Sequence, residues 1–255
     1  MAEERKYHVG LAPGEVGGYL LYPGDPARTK AIARSLDGAG EVAFSREYRT
    51  FTGTIDGTAV SACSSGMGGP SVAIGVEELA DLGVHTFLRV GTCGGLQPGI
   101  HVGDIVIATG AVRSEGTPDA YVPRDYPAIA AHDIVAACVE AAEAAGLRHH
   151  VGIVRSVDGL YPELDPDRMP RATELREELA LWRRAGVKAS DMESSTLFVV
   201  SSLLALRAGT ILLCVDEVES GQIDHIDPSQ MDRFLEVSVD AVRRLIARDH
   251  AAARQ

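Results

Sequence analysis

The sequence predicts an α/β protein of one domain, a twisted, mixed and mostly parallel sheet covered by helices. Three observations carry that expectation. Strand-like and helical runs alternate along the chain. Its 255 residues include 27 glycines and only 5% aromatics, a composition that suits close backbone packing. No repeat, low-complexity tract or linker interrupts the pattern, so residues 1–255 read as a single domain.

The first unit, "YLLYPGDPARTKAIARSL" (19–36), reads as strand, Gly-Asp-Pro turn and helix, with Pro26 at a first helical position. Residues 58–83 repeat the theme, with Pro70 opening a second helix. "VHTFLRV" (84–90) and "DIVIATGAV" (104–112) are short apolar runs of strand type. The alanine-rich stretch 128–146 has helical period and stops on Gly146. A strand is expected at 150–158 and an amphipathic helix at 173–186. Residues 191–209 read as a mostly apolar helix ending on glycine, followed by a buried strand at 210–217. A closing helix is expected at 228–250. Two stretches, 113–127 with three prolines and 158–171, read as loops over a site.

The formal charge of -12 argues against a nucleic-acid or anionic-membrane partner, which needs a basic surface. A small anionic ligand remains compatible, because arginines can cluster locally. The four cysteines form no C-x-x-C and fit neither a zinc site nor a disulfide scaffold, so they read as reduced, buried thiols. The amino-terminal stretch lacks a hydrophobic signal region, and no run approaches the ~18 apolar residues of a membrane span. The expected location is the cytoplasm.

In open α/β sheets, ligands gather at the carboxyl ends of strands. Gly24 and Arg28 follow the first predicted strand. Arg89, Gly91 and Thr92 close the central one, and Asp216 and Glu217 end the last. Asp191 and Glu193 are expected at the start of a helix. Glycine turns at helix starts present backbone N–H groups to anions, and an arginine fork grips phosphate bidentately. Each feature alone has an ordinary structural explanation, as a turn, a cap or a core arginine. Together they point to an anion site.

The segments "KYHVGLAP", "YPGDPAR", "SREYRTFTG", "SSGMGGPSVAIGVEELADLG", "FLRVGTCGGLQPGIHVGDIVIATGAVR" and "SDMESSTLF" occur in this order at matching spacing. On these residues the chain resembles the hexameric nucleoside phosphorylases, the branch of uridine phosphorylases and bacterial-type purine nucleoside phosphorylases. The resemblance spans residues 6 to about 207 and continues less closely beyond. It implies attack of phosphate on the anomeric carbon of a nucleoside, giving free base and pentose 1-phosphate. Phosphate is then a co-substrate and no cofactor is expected.

The resemblance assigns phosphate to Gly24, Arg28, Arg89 and Thr92, with Arg46 supplied by a neighbouring subunit. Ribose falls to Thr92, Met192 and Glu193, with His8 from the neighbour. The base falls to Cys93, Gly94, Leu160, Asp191 and Asp216. Arg89, Glu193 and Asp216 are the expected catalytic residues. Active sites shared across a homodimer, and a trimer of dimers, are implied. Glu47 and Ser71 match positions that hold a monovalent cation in some family members. The chemistry is consistent with these roles: an oxocarbenium-like transition state needs an anion on one face and position and field from the protein rather than a protein nucleophile.

The base is contested within the sequence. Uridine phosphorylases carry a glutamine and an arginine after a Phe-Tyr-Pro element to read uracil. Here "GLYPELDPDR" places Leu164 and Pro166 at those positions, and neither side chain can hydrogen-bond a base. Asp216 stands where purine-type members carry an aspartate that protonates N7, and burial is expected to raise its pKa. The arginine that supports that aspartate in bacterial purine enzymes has no clear counterpart; Asp227 lies nearest, with His225 and Arg233 out of register. The favoured expectation is a purine nucleoside. The alternatives are a uridine or broad-specificity phosphorylase, a nucleosidase in which water replaces phosphate, and an inactive nucleoside-binding protein.

Overall fold

The computed structural model describes residues 5–217 and 226–254. His225, one of the residues compared with the missing arginine, lies outside them. Ten strands form one mixed sheet: Tyr19–Tyr22 (β1), Asp37–Ser45 (β2), Tyr48–Ile55 (β3), Thr58–Cys63 (β4), Thr86–Gly95 (β5), Ile105–Ser114 (β6), Ala128–Ile129 (β7), His149–Val157 (β8), Ala189–Asp191 (β9) and Arg207–Glu217 (β10). Seven α-helices accompany them: Pro26–Ala33 (α1), Gly69–Asp81 (α2), His132–Ala144 (α3), Leu160–Leu164 (α4), Ala172–Arg184 (α5), Ser194–Leu203 (α6) and Pro228–Ala252 (α7).

The centre of the sheet is parallel, with β1 between β4 and β5 and β10 on the far side of β5. Strand β6 runs antiparallel to β10 and parallel to β8, which in turn pairs parallel with β9. Apolar side chains leave both faces of this centre, as expected for strands covered on both sides. One face packs against α2 and α6 through Val72, Val76, Leu79, Leu197 and Phe198. The other packs against α1, α3 and α7 through Ile32, Ile134, Cys138, Phe234, Val242 and Leu245. The helix faces follow the sequence period, and Asp227 caps α7 by accepting from the Ser229 amide at 2.8 Å.

Four elements differ from the sequence expectation, one being the expected loop 158–171, which contains helix α4. The predicted helix 191–209 is only Ser194–Leu203. Asp191 belongs to β9, and Arg207 to Gly209 already belong to β10. The helix stops because Ala205 turns left-handed, at φ 58°. The Leu206 amide then donates back to the Ser201 carbonyl at 2.8 Å, the closing bond of a Schellman-type end. The helix expected over 128–146 begins only at His132, because Ala128 and Ile129 pair with β6. The stretch 37–55, where no element is expected from pattern, is an antiparallel hairpin. The expected loop 113–127 is tied down by Arg113, whose Nη1 donates to the carbonyls of Pro123, Arg124 and Tyr126.

Candidate active site

The carboxyl end of β5 sets the site. Strand β9 runs antiparallel beside it, pairing Ser190 with Gly94, so the chain leaving β9 at Asp191 passes directly by Arg89. On the other side, β10 pairs Thr210 with Arg89 and Asp216 with Gly94, with a bulge between Cys214 and Asp216. The β1 end and the following turn bring Gly24 and Arg28 to the same place, since Tyr22 pairs with Arg89. A cavity of about 520 Å³ opens there. Its wall includes Gly24, Arg28, Arg89, Thr92, Cys93, Gly94, Leu160, Asp191, Met192, Glu193 and Asp216. The expected site residues of one chain therefore converge, from five separate stretches of sequence.

Arg89 is 4% exposed and held by two carboxylates. Its Nε donates to Asp191 Oδ2 at 3.0 Å, and its Nη2 pairs with Glu193. Asp191 is anchored behind it by Ser156 Oγ at 2.7 Å and the Ser194 amide at 3.0 Å. The Asp191 side chain is fully buried, and its oxygens serve these donors and Arg89. It is a positioning group for the arginine more than an edge for a base. Glu193 also accepts from the Gly68 amide at 2.7 Å, at the amino end of α2, where the helix dipole favours an anion. Gly68 adopts φ 85°, which turns that amide onto the carboxylate.

Burial pushes the Glu193 carboxyl above its usual range, against the attraction of Arg89. Burial would lower the Arg89 pKa, but Glu193 and Asp191 outweigh it and the guanidinium is held charged. Burial lowers the Arg28 pKa. Arg89 thus lies between two carboxylates, with Arg28 on the same cavity wall.

Gly91 explains why this strand end is glycine-rich. A Cβ there would lie 2.7 Å from the Arg89 guanidinium carbon and 2.8 Å from a Leu212 methyl. Gly91→Ala is expected to displace the arginine head, raising the KM for phosphate at least about tenfold while costing about 1–3 kcal/mol in stability. Phosphate titration and thermal melting of the purified variant check this.

Two expected residues do not line this chain's own cavity. His8 is pinned to α2, its ring Nδ1 2.6 Å from Glu78 and its amide also donating to Glu78. Arg46 is exposed at the β2–β3 turn, over the Tyr7 ring. Glu47 and Ser71 lie side by side, the Ser71 hydroxyl donating to Glu47 Oε1 at 2.7 Å.

Sequence reasoning missed Asp25, Met67, Ser190 and Val215 on the wall. It also missed Glu163, which lines a narrow recess of about 30 Å³ beside the cavity, together with Gly94, Leu160, Leu164, Ser190 and Asp216. Burial pushes the Glu163 carboxyl up, against the pull of Ser190 and Arg155. No spacing rule links Glu163 to Ser190, 27 residues away. Only the fold brings them together. A second open groove, between β6 and α5, is lined by Arg113, Arg124, Tyr126 and Trp182. Its buried arginine donates to loop carbonyls and to Asp119.

The phosphorylase superfamily pattern matches residues 19–248. The chain belongs to the phosphorylase superfamily. A uridine phosphorylase of Treponema pallidum is 43% identical over 246 residues, covering 96% of this chain and 95% of that protein. The uridine phosphorylase of Escherichia coli K12 is 35% identical over 253 residues, 96% of this chain and all of that protein. A guanosine phosphorylase of Halorubrum lacusprofundi is 38% identical over 239 residues, 94% of each chain. The resemblance read from the sequence motifs is thereby confirmed at the level of family, and the chain is an enzyme of the pentosyltransferase type. The names among these relatives fit the uridine or broad-specificity alternative better than the purine-favoured expectation. Among the described residues, no helix is long and apolar enough to cross a membrane.

Proposed function

We propose that this phosphorylase-superfamily enzyme catalyses phosphorolysis of nucleosides with a broad base scope, covering uridine and 6-oxopurine nucleosides. The observation that carries the reading is the buried Arg89, fixed by Asp191 and Glu193 on the wall of a cavity that Arg28 and Gly24 also line. Phosphate enters between Arg28 and Arg89 and draws Arg89 partly away from Glu193. The released carboxylate then accepts from the ribose hydroxyls. A phosphate oxygen bonds to C1′ as the C1′–N bond breaks, and the bond pair leaves with the base. The cation-like sugar is stabilised by the anion on one face.

Two features support the broad scope. The relatives are named for uridine and, in one case, guanosine. The recess beside the cavity presents Leu160, Leu164 and Gly94 alongside Glu163, Ser190 and Asp216, so both apolar contact and hydrogen bonding are open to a base there. Asp216, 4% exposed on the wall of both, favours purine turnover as a second reading, because a purine leaves better when N7 is protonated. His8 and Arg46 fit this reading as contributions to a neighbouring subunit's cavity, in an assembly of dimers. The buried, unpaired cysteines suit a reducing cytoplasm.

The test is release of free base from uridine, inosine, guanosine and adenosine, side by side, with and without phosphate. Phosphate-dependent release from uridine and from inosine or guanosine is expected. Release that ignores phosphate would mean a nucleosidase. Binding with no release would mean an inactive binding protein.

A further inference from the structure

Glu163 is a buried carboxylate that the reaction scheme does not use; it lines the narrow recess beside the main cavity rather than the cavity itself. It stands on α4, between the matched positions Tyr161 and Leu164, and its side chain is 8% exposed. One of its oxygens is committed: Oε1 accepts from Ser190 Oγ at 2.6 Å and from Arg155 Nη1 at 3.3 Å. Among the described residues, no group donates to the other oxygen, Oε2. Arg155 is itself held by Glu178 at 2.7 Å and stacked near Trp182, so the Glu163 ion pair rests on a fixed partner. The recess that Glu163 lines shares Gly94, Leu160, Ser190, Asp191, Met192 and Asp216 with the main cavity. A base that reaches past Leu160 meets an acceptor with one set of lone pairs unused.

We infer that Glu163 is a specificity-determining residue that accepts a hydrogen bond from the ring N–H of a lactam base. The inference rests on the nucleoside reading above and names its substrate class. Uracil, hypoxanthine and guanine each carry a ring N–H beside a carbonyl. Cytosine and adenine present an unprotonated ring nitrogen at that edge, and its lone pair would face a carboxylate. A buried acceptor left unpaired, or set against a lone pair, costs more than the bond it forms is worth. One carboxylate can therefore admit both ring sizes and still reject the amino-substituted bases. Leu164 on the same recess contributes only apolar contact, so the discrimination falls to Glu163. Of the other two carboxylates there, Asp191 is engaged by Arg89 and Ser156, and Asp216 serves the leaving nitrogen in the reaction scheme.

The experiment measures equilibrium binding of uridine, cytidine, inosine, adenosine and 3-methyluridine to the full chain without phosphate. It compares wild type, Glu163→Gln and Glu163→Ala. Wild type is expected to prefer uridine over cytidine and inosine over adenosine about tenfold or more, the scale of one charged hydrogen bond. It should bind 3-methyluridine, which lacks the N–H, as weakly as cytidine. Both variants should bring these ratios to within about threefold, while Kd for inorganic phosphate stays unchanged. Thermal melting confirms folding; Arg155 keeps Glu178 in either variant. Ratios that are equal in wild type and variants overturn the inference and leave phosphorolysis standing. Selective binding that Glu163→Gln removes, in a protein that releases no base, upholds it and overturns the reaction.

Discussion

Replacing Arg89 with methionine is expected to lower kcat/KM for phosphate by about 10³-fold, the scale of removing a preorganised charge partner from a reacting anion. The substitution acts in two ways. It removes the guanidinium proposed to meet phosphate. It also leaves Asp191 and Glu193 side by side and buried with no cation between them. Breaking a buried pair in this way costs about 3–5 kcal/mol. Part of that cost is recovered as Glu193, whose pKa burial already raises, takes up a proton. A protonated Glu193 accepts poorly from ribose, so nucleoside binding should weaken along with phosphate binding. Arg89→Lys separates the two effects. It restores a charge near the carboxylates but not the two-pronged grip, so melting should recover most of the loss while phosphate KM stays raised. Steady-state kinetics and melting on both variants check this. Normal phosphate kinetics in Arg89→Met would remove the arginine from the reaction.

Asp216→Asn is expected to cut inosine phosphorolysis by about 10²-fold or more and uridine phosphorolysis by much less, because only the purine leaving group needs a proton at N7. Asparagine keeps the size and a donor but supplies no transferable proton. The inosine-to-adenosine binding ratio should hold in this variant, since the ring N–H edge is assigned to Glu163. Turnover of both substrates by wild type and variant, measured in parallel, decides it. Equal losses for uridine and inosine would make Asp216 a structural carboxylate of the β10 end.

The strands at the centre of the sheet were legible because they are unbroken apolar runs. β5, β6, β8 and β10 all lie near where pattern placed them. The hairpin 37–55 was not, because β2 is a mostly exposed edge in which Gly38 and Gly40 dilute any alternation. Helix α6 was overextended for the opposite reason. The apolar run continues from it into β10, and nothing in hydrophobicity marks the reversal at Ala205. In the site, motif resemblance found Gly24, Arg28, Arg89, Thr92 and Glu193, all of which line the cavity. It assigned Asp191 to the base; in the structure that carboxylate lines the cavity and also accepts from Arg89. Glu163 stayed hidden because it falls in a stretch read as loop, and its partners Arg155 and Ser190 come from two other strands.

The bulge in β10 has a consequence of its own. Strand geometry normally sends neighbouring side chains to opposite faces. Because the register slips between Cys214 and Asp216, Val215 and Asp216 both reach the cavity wall. Their side chains are thereby uncoupled from the hydrophobic alternation that the rest of β10 must obey. A substitution of Val215 therefore changes the cavity wall without breaking the alternation of the strand before it. A deletion there is another kind of change, since it would restore the alternation and turn one of the two away from the ligand. The chain carries a place where chemistry can drift while the architecture stays fixed.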